Sequence, residues 1–213
     1  MRYQTPSIVG IILALSIGIR AAETNSNPIS ITVSVPGNAN PWLAGAPDGT
    51  IGGGNYDVAP NQSPVEVAGI SAGAVLTFSI TGGVANGPFV LQGPEGVDSI
   101  IMKRIPGPEN GIGDLIAPLD ALVGVFLTGD VSTNSPLPVT LDFSTASARD
   151  FSTLAPSLCQ PFFIGDGKTP DGAVQQFIAP AGANRLFLGV MDSYSWADNQ
   201  GSFTVKIEAP RVD

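Results

Sequence analysis

Short apolar runs, separated by glycine and proline, dominate the pattern of hydrophobic and polar residues along this chain. The segment "SFTVKIE" (202–208) shows the pattern most clearly, because Phe203, Val205 and Ile207 alternate with polar residues. Side chains of a β-strand point to opposite faces in turn, so this period of two residues predicts a strand with one buried and one solvent-facing side.

The same reasoning predicts strands along most of the chain. The 26 glycines and 19 prolines are scattered and break up runs rich in valine, isoleucine, phenylalanine and threonine, which is typical of strands joined by turns. The predicted strands are 29–35, 65–67, 75–80, 122–127, 139–142, 162–164, 175–178, 185–191 and 201–208.

Helical periodicity is not sustained over any segment. The best helical candidates are short and lie at 118–121 and 147–154, and long polar loops are expected at 41–64 and 87–118. These elements predict an all-β fold, an antiparallel β-sandwich of jelly-roll-like type with long loops and one or two short helices.

The first residues have the pattern of an export signal. Arg2 precedes an apolar run at 8–19, and the small residues around Ala21 suit a cleavage site. The run is shorter than the roughly 20 residues that a membrane-spanning helix needs, so removal is favoured over retention as an anchor. We therefore expect a signal peptide at 1–21, a single domain at 22–213 with no membrane span, and a secreted or periplasmic location.

Charge and composition exclude several classes of function. The chain has 18 acidic and 9 basic residues, which disfavours binding to nucleic acid or to anionic membranes. It has no histidine, so Ser-His-Asp catalysis and the usual zinc sites are excluded. Cys159 is the only cysteine and has no partner for an intramolecular disulfide.

Oxygen-bearing side chains are concentrated in "MDSYSWADNQ" (191–200), hereafter the acidic segment. Calcium takes 6 to 8 oxygen ligands from carboxylates, amides and backbone carbonyls. Asp192 and Asp198 offer carboxylates, Asn199 an amide oxygen and Ser195 a backbone carbonyl. The spacing is not that of an EF-hand, so the site would be an irregular loop, and a metal-free acidic turn is the alternative.

The run "DNQGSFTVKI", preceded by Asp192, resembles the calcium loop and last strand of the calcium-dependent galactose-binding bacterial lectins, which end in an Asn-Asn-x-Gly-Ser-Phe motif. "LTFSITGGVANGP" (76–88), "GPENG" (107–111), "ALVGVF" (121–126) and "FIAPAGANRLFLGVMD" (177–192) are similar to further parts of that family. The likeness spans about 65–207 at low identity, and the last motif is its most specific part.

The resemblance implies a set of site residues. Calcium would be held by the side chains of Asp192, Asp198 and Asn199 and by the backbone oxygens of Asn86 and Ser195. In such lectins sugar hydroxyls complete the metal shell, so Asp192 and Asp198 would also contact sugar. Asn110 would occupy the position of a glutamine that helps to hold the sugar in those lectins.

Several positions depart from the family pattern. The stretch 192–198 is one residue shorter, Asp198 replaces an asparagine, Gly107 replaces a sugar-contacting histidine, and 100–105 and 137–158 are insertions. Aromatic residues offer further candidates. Trp196 either stacks on a sugar or folds over the end of the sandwich, Trp42 either lines a glycan groove or plugs the core, and Tyr56 is a second candidate for lining such a groove.

The primary hypothesis is therefore an exported, non-enzymatic, lectin-like module that binds carbohydrate through calcium. One alternative is an exported structural or surface protein in which calcium only stabilises the loop. The other is a glycan hydrolase that uses a pair of carboxylates, although no pair stands out in the sequence.

Overall fold

The computed structural model describes residues 29–53, 56–129 and 136–209, besides Met1. The predicted signal peptide, apart from Met1, lies outside the described residues. The described chain is almost entirely strand and turn, with one short helix, α1 (Ala146–Arg149), and a 3-10 turn at Pro41–Leu43. Its strands are β1 (Ile29–Pro36), β2 (Ile51–Gly52), β3 (Asp57–Val58), β4 (Val65–Ala68), β5 (Val75–Ala85), β6 (Val97–Lys103), β7 (Leu115–Leu119), β8 (Leu122–Leu127), β9 (Leu141–Asp142), β10 (Thr153–Leu154), β11 (Phe162–Phe163), β12 (Gln176–Ile178), β13 (Arg185–Val190) and β14 (Gln200–Ala209).

The larger sheet has five strands in the order β1-β14-β5-β12-β10. Strand β14 lies between β1 and β5 and pairs antiparallel with both. Its Phe203, Val205 and Ile207 are buried while Ser202 and Thr204 are exposed. The alternation in the sequence thus has the physical cause expected of it, a strand with one face on the core and one in water.

The second sheet has four strands in the order β11-β8-β13-β4. Phe126 and Leu186 from this sheet pack in one core with Phe78 and Val205 from the larger sheet, so the two sheets form the predicted β-sandwich. Every residue of β8 is buried. A second apolar cluster explains this, because it covers the other face of the smaller sheet with Trp42, among others.

The described elements correct two predictions. The expected helix at 118–121 is wrong, because Pro118 and Leu119 belong to β7 and Asp120 turns the chain into β8 with φ 66°. The expected helix at 147–154 is limited to α1, and β10 follows it. The long loops also contain short strands that the sequence pattern did not predict, namely β2, β3, β6 and β7.

Among the described residues, no helix has the length and apolar character needed to cross a membrane.

Candidate functional site

The acidic segment connects two neighbouring parts of the sandwich. It leaves β13 after Val190, in the smaller sheet, and enters β14 at Gln200, in the larger one. The pairing of Gln200 with Ala85 aligns the start of β14 with the end of β5. This register brings Asn86, the first residue after β5, to the acidic segment although more than 100 residues separate them in the chain.

Asp192 is the centre of the contacts in this region. It is buried, and its Oδ2 accepts hydrogen bonds from Asn86 Nδ2 at 2.9 Å and from Asn199 Nδ2 at 3.2 Å. Its Oδ1 accepts a hydrogen bond from the backbone N–H of Ser193 at 2.5 Å. Three of the residues proposed from the sequence therefore meet in one place.

Two more carboxylates lie close to Asp192. Asp198 is exposed, and its negative charge helps to raise the pKa of Asp192. Asp120, in the turn between β7 and β8, is buried and interacts electrostatically with Asp192. Asp120 was not predicted from the sequence, since it was assigned to a short helix. An aspartate between two apolar strands was the only available signal.

No positive side chain of the described residues pairs with any of these three carboxylates. Burial raises the pKa of Asp192, against hydrogen bonds from Ser193 and Asn199 that lower it, and burial raises the pKa of Asp120 to about 6. Among the described residues, no lysine or arginine forms an ion pair with Asp120, Asp192 or Asp198. Buried charges in proteins are usually paired or bound to a metal ion, so this arrangement favours a cation from outside the chain.

The oxygen atoms in this region are of the kind that a hard cation binds, although carboxylates alone would not be enough to hold it. The Oδ1 of Asn199 and the Oδ1 of Asp120 are both buried and have no hydrogen-bond partner. Calcium accepts amide and carboxylate oxygens of this kind. No group of three or more acidic, histidine or cysteine side chains in the described ranges is placed to hold a metal ion. A calcium site here would therefore need amide and backbone oxygens beside its carboxylates.

The remaining predicted residues have other surroundings. Ser195 is half-buried within the acidic segment. Asn110 donates its Nδ2 to the backbone oxygen of Trp42 at 3.0 Å. Trp196 is fully buried and donates its Nε1 to the backbone oxygen of Val190 at 2.7 Å. Its ring therefore has no exposed face for a sugar, which corrects the stacking interpretation in favour of a loop aromatic folded over the sandwich end.

A second polar cluster anchors the middle of the acidic segment. The guanidinium carbon of Arg104 lies 5.2 Å from the ring centre of Trp42 and 5.1 Å from that of Trp196, and the guanidinium pairs with Glu109. We call these four residues the tryptophan-arginine cluster. Beside it, buried Asp57 accepts the backbone N–H of Trp196 at 2.9 Å. Trp42 is fully buried, so it fills the core rather than lining a groove.

Exposed aromatic surface lies next to Asp192 on two tyrosines. The rings of Tyr56 and Tyr194 meet edge to face with their centres 5.4 Å apart, and they are 60% and 41% exposed. The backbone N–H of Tyr194 also contributes to the hydrogen bonding of the Asp192 carboxylate. Exposed aromatic surface is therefore available beside the acidic segment, on Tyr56, a predicted candidate for a glycan groove, and on Tyr194, which was not predicted.

The chain matches no protein-family model and no curated protein sequence.

Proposed function

We propose that this protein is an exported, calcium-dependent carbohydrate-binding module without catalytic activity. One observation carries the proposal: Asp192 is buried beside Asp198, no cationic side chain of the described residues pairs with either, and the buried Oδ1 of Asn199 lacks a partner. A divalent cation would supply the missing charge and the missing partner together.

In this proposal each residue has a distinct task. Asp192 and Asn199 contribute oxygens from the buried side, and Asp198 contributes a carboxylate from the exposed side. The backbone oxygens of Asn86 and Ser195, which the lectin resemblance implies as ligands, complete the protein's part. Calcium, when bound, presents a fixed positive charge to sugar hydroxyls.

Sugar recognition would use the exposed part of the same region. The carboxylate of Asp198 can accept a hydrogen bond from a sugar hydroxyl, and hydrogen bonds to an ionised group are stronger than those between neutral groups. Tyr194 and Tyr56 provide apolar ring surface for the face of a sugar, in place of the buried Trp196. Asn110, whose Nδ2 is occupied by the Trp42 carbonyl, retains its side-chain oxygen for such a contact.

The first test is thermal unfolding of the mature protein with calcium and with a chelator. A ligand that binds the native state at 100 times its Kd stabilises it by about 2.7 kcal/mol, which corresponds to a rise in Tm of roughly 5–10 °C for a chain of this size. An Asp192→Ala, Asp198→Ala double variant should lose this rise. An Asp48→Ala variant is the matched control, because Asp48 is also an exposed loop aspartate.

A glycan array then separates carbohydrate binding from a purely stabilising calcium loop. The proposal expects glycan binding with calcium, loss of that binding with chelator, and weaker binding by Tyr194→Ala. If calcium raises Tm while no glycan binds in either condition, the loop is structural and the lectin-like function is wrong. If calcium changes Tm equally in the double variant and in Asp48→Ala, the site itself is wrong.

A further inference from the structure

A cavity of about 360 Å³ opens beside the acidic segment, and none of its lining residues belongs to that segment. It lies between the chain that follows β5 and the strand β6, and Asn86 and Asp120 line it together with Phe89, Val90 and Ile100. This volume falls within the range of roughly 300–1,000 Å³ that small-molecule sites occupy.

The wall of the cavity is apolar and open to solvent. Phe89 is 74% exposed, Val90 is 78% exposed and Ile100 is 41% exposed. Single exposed apolar residues are common, but three that line one cavity form a patch of the kind that marks binding sites. Covering this patch would remove apolar surface from water, so a ligand for this cavity needs an apolar part.

The polar group in the cavity lining that stands out is a carboxylate. Asp120 is 3% exposed, and its Oδ1 has neither solvent access nor a hydrogen-bond partner. A hydrogen bond involving the backbone of Asn86 engages the carboxylate, and no lysine or arginine of the described residues pairs with it. The residue also sits in the left-handed region, at φ 66°, which is uncommon for any residue except glycine.

We propose that this cavity binds a small organic ammonium ion, an alkyl or aryl amine whose apolar part lies against Phe89, Val90 and Ile100 and whose charged group lies beside the Asp120 carboxylate. Apolar walls with a few convergent polar groups are typical of sites for such ligands. The carboxylate has no paired lysine or arginine among the described residues, which favours a positively charged ligand group over a neutral one.

The negative charge of Asp120 also disfavours anionic ligands in this cavity. A carboxylic acid of similar shape would place a second negative charge beside Asp120 and Asp192, in a chain whose formal net charge is −9. The amine site shares Asn86 with the proposed calcium site, because Asn86 lines the cavity, but Asp120 is not among the residues assigned to calcium.

The test compares three probes of matched length, hexylamine, hexanol and hexanoate, by calorimetric titration of the mature protein in an amine-free buffer. The proposal expects hexylamine to bind about tenfold or more tightly than hexanol, with hexanoate weakest. Asp120→Asn should abolish the preference for hexylamine over hexanol, and asparagine tolerates the same left-handed backbone. Equal affinity for hexylamine and hexanol would overturn the proposal.

A second variant keeps the proposal falsifiable if Asp120→Asn fails to fold. Phe89→Ala changes a largely exposed side chain and should weaken hexylamine binding several-fold, while Val139→Ala, at an 80% exposed residue outside the cavity, should leave it unchanged. Hexylamine binding that is unaffected by Phe89→Ala would overturn the proposal. So would its complete competitive loss on adding calcium, since the amine would then occupy the calcium site instead.

Discussion

Replacement of Arg104 by methionine gives the sharpest test of how the loop end of this protein is held together. The side chain of Arg104 is fully buried between Trp42 and Trp196 and pairs with Glu109. Its Nη1 also donates to the backbone oxygen of Ile105 at 2.8 Å. Methionine keeps an apolar side chain of similar length but removes the charge and all of its donors.

The expected loss of stability comes mainly from the groups that lose their partner when Arg104 is replaced. Glu109, whose side chain is 24% exposed, keeps its charge but loses its cation. Breaking a buried ion pair by removing one partner costs about 3–5 kcal/mol, and each stacked tryptophan adds about 0.5–2 kcal/mol to the interaction of a cation. The Nε of Arg104 has no partner and already carries a desolvation cost, so the lower end, about 3 kcal/mol, is expected.

The assay is urea unfolding followed by tryptophan fluorescence. Trp42 and Trp196 are the only tryptophans in the chain, so the emission reports on this cluster directly. Lys206→Met is the control, because Lys206 pairs with Glu208 on the solvent face of β14 and both side chains are nearly half exposed. That pair should contribute about 0–1 kcal/mol. Equal losses in the two variants would refute a structural role for the buried guanidinium.

Three further predictions concern single residues. Gly82→Ala should lower the free energy of unfolding by about 1–3 kcal/mol more than Gly73→Ala does. Both residues have positive φ, but a Cβ on Gly82 would lie 2.4 Å from a backbone oxygen of β14, whereas Gly73 faces open space. Equal Tm values for the two variants would contradict this. Trp196→Phe should lower the free energy of unfolding by about 1–3 kcal/mol, because the buried Val190 oxygen loses its donor. A loss of glycan affinity at unchanged stability would instead support sugar stacking. Burial raises the pKa of Asp57 from 3.8 to about 6, so the folded protein holds this proton more tightly than the unfolded chain does. Its contribution to stability is complete below about pH 4 and is lost as the pH rises through about 6. The free energy of unfolding of the parent, relative to that of Asp57→Asn, should thus fall by about 2 kcal/mol from pH 4 to pH 7, and a flat difference would show that Asp57 does not titrate in this way.

The strands that were predictable from sequence are those whose surroundings are simple. Strand β14 has one wet face, and its alternation gave nearly correct bounds. Strand β8 is buried on both faces and was recognisable as a continuous apolar run. Strand β7 was missed because Pro118 lies within it and glycines precede it, which are signals that normally mark a loop.

Part of the candidate site was predictable because it is local. Asp192 and Asn199 lie seven residues apart, and their oxygen-rich segment is visible in the sequence. Asp120 joins them only through the turn between β7 and β8, and nothing local indicates that contact. Arg104 reads as a solvated charge in "IMKRIPGPEN", and only the tertiary fold places it between two tryptophans.

The contrast between the two polar clusters explains why one of them is the better candidate for binding. In the tryptophan-arginine cluster the chain supplies its own cation, and Asp57 anchors the backbone of Trp196 in the middle of the acidic segment. No lysine or arginine of the described residues forms an ion pair with Asp192. Because the middle of the segment is fixed by buried contacts, its oxygens are held in place before any ion arrives, and little ordering entropy is lost on binding. If calcium binds at Asp192 as proposed, the tryptophan-arginine cluster supports that site: a substitution at Arg104 that weakens the cluster should lower calcium affinity, although Arg104 is not among the proposed ligands.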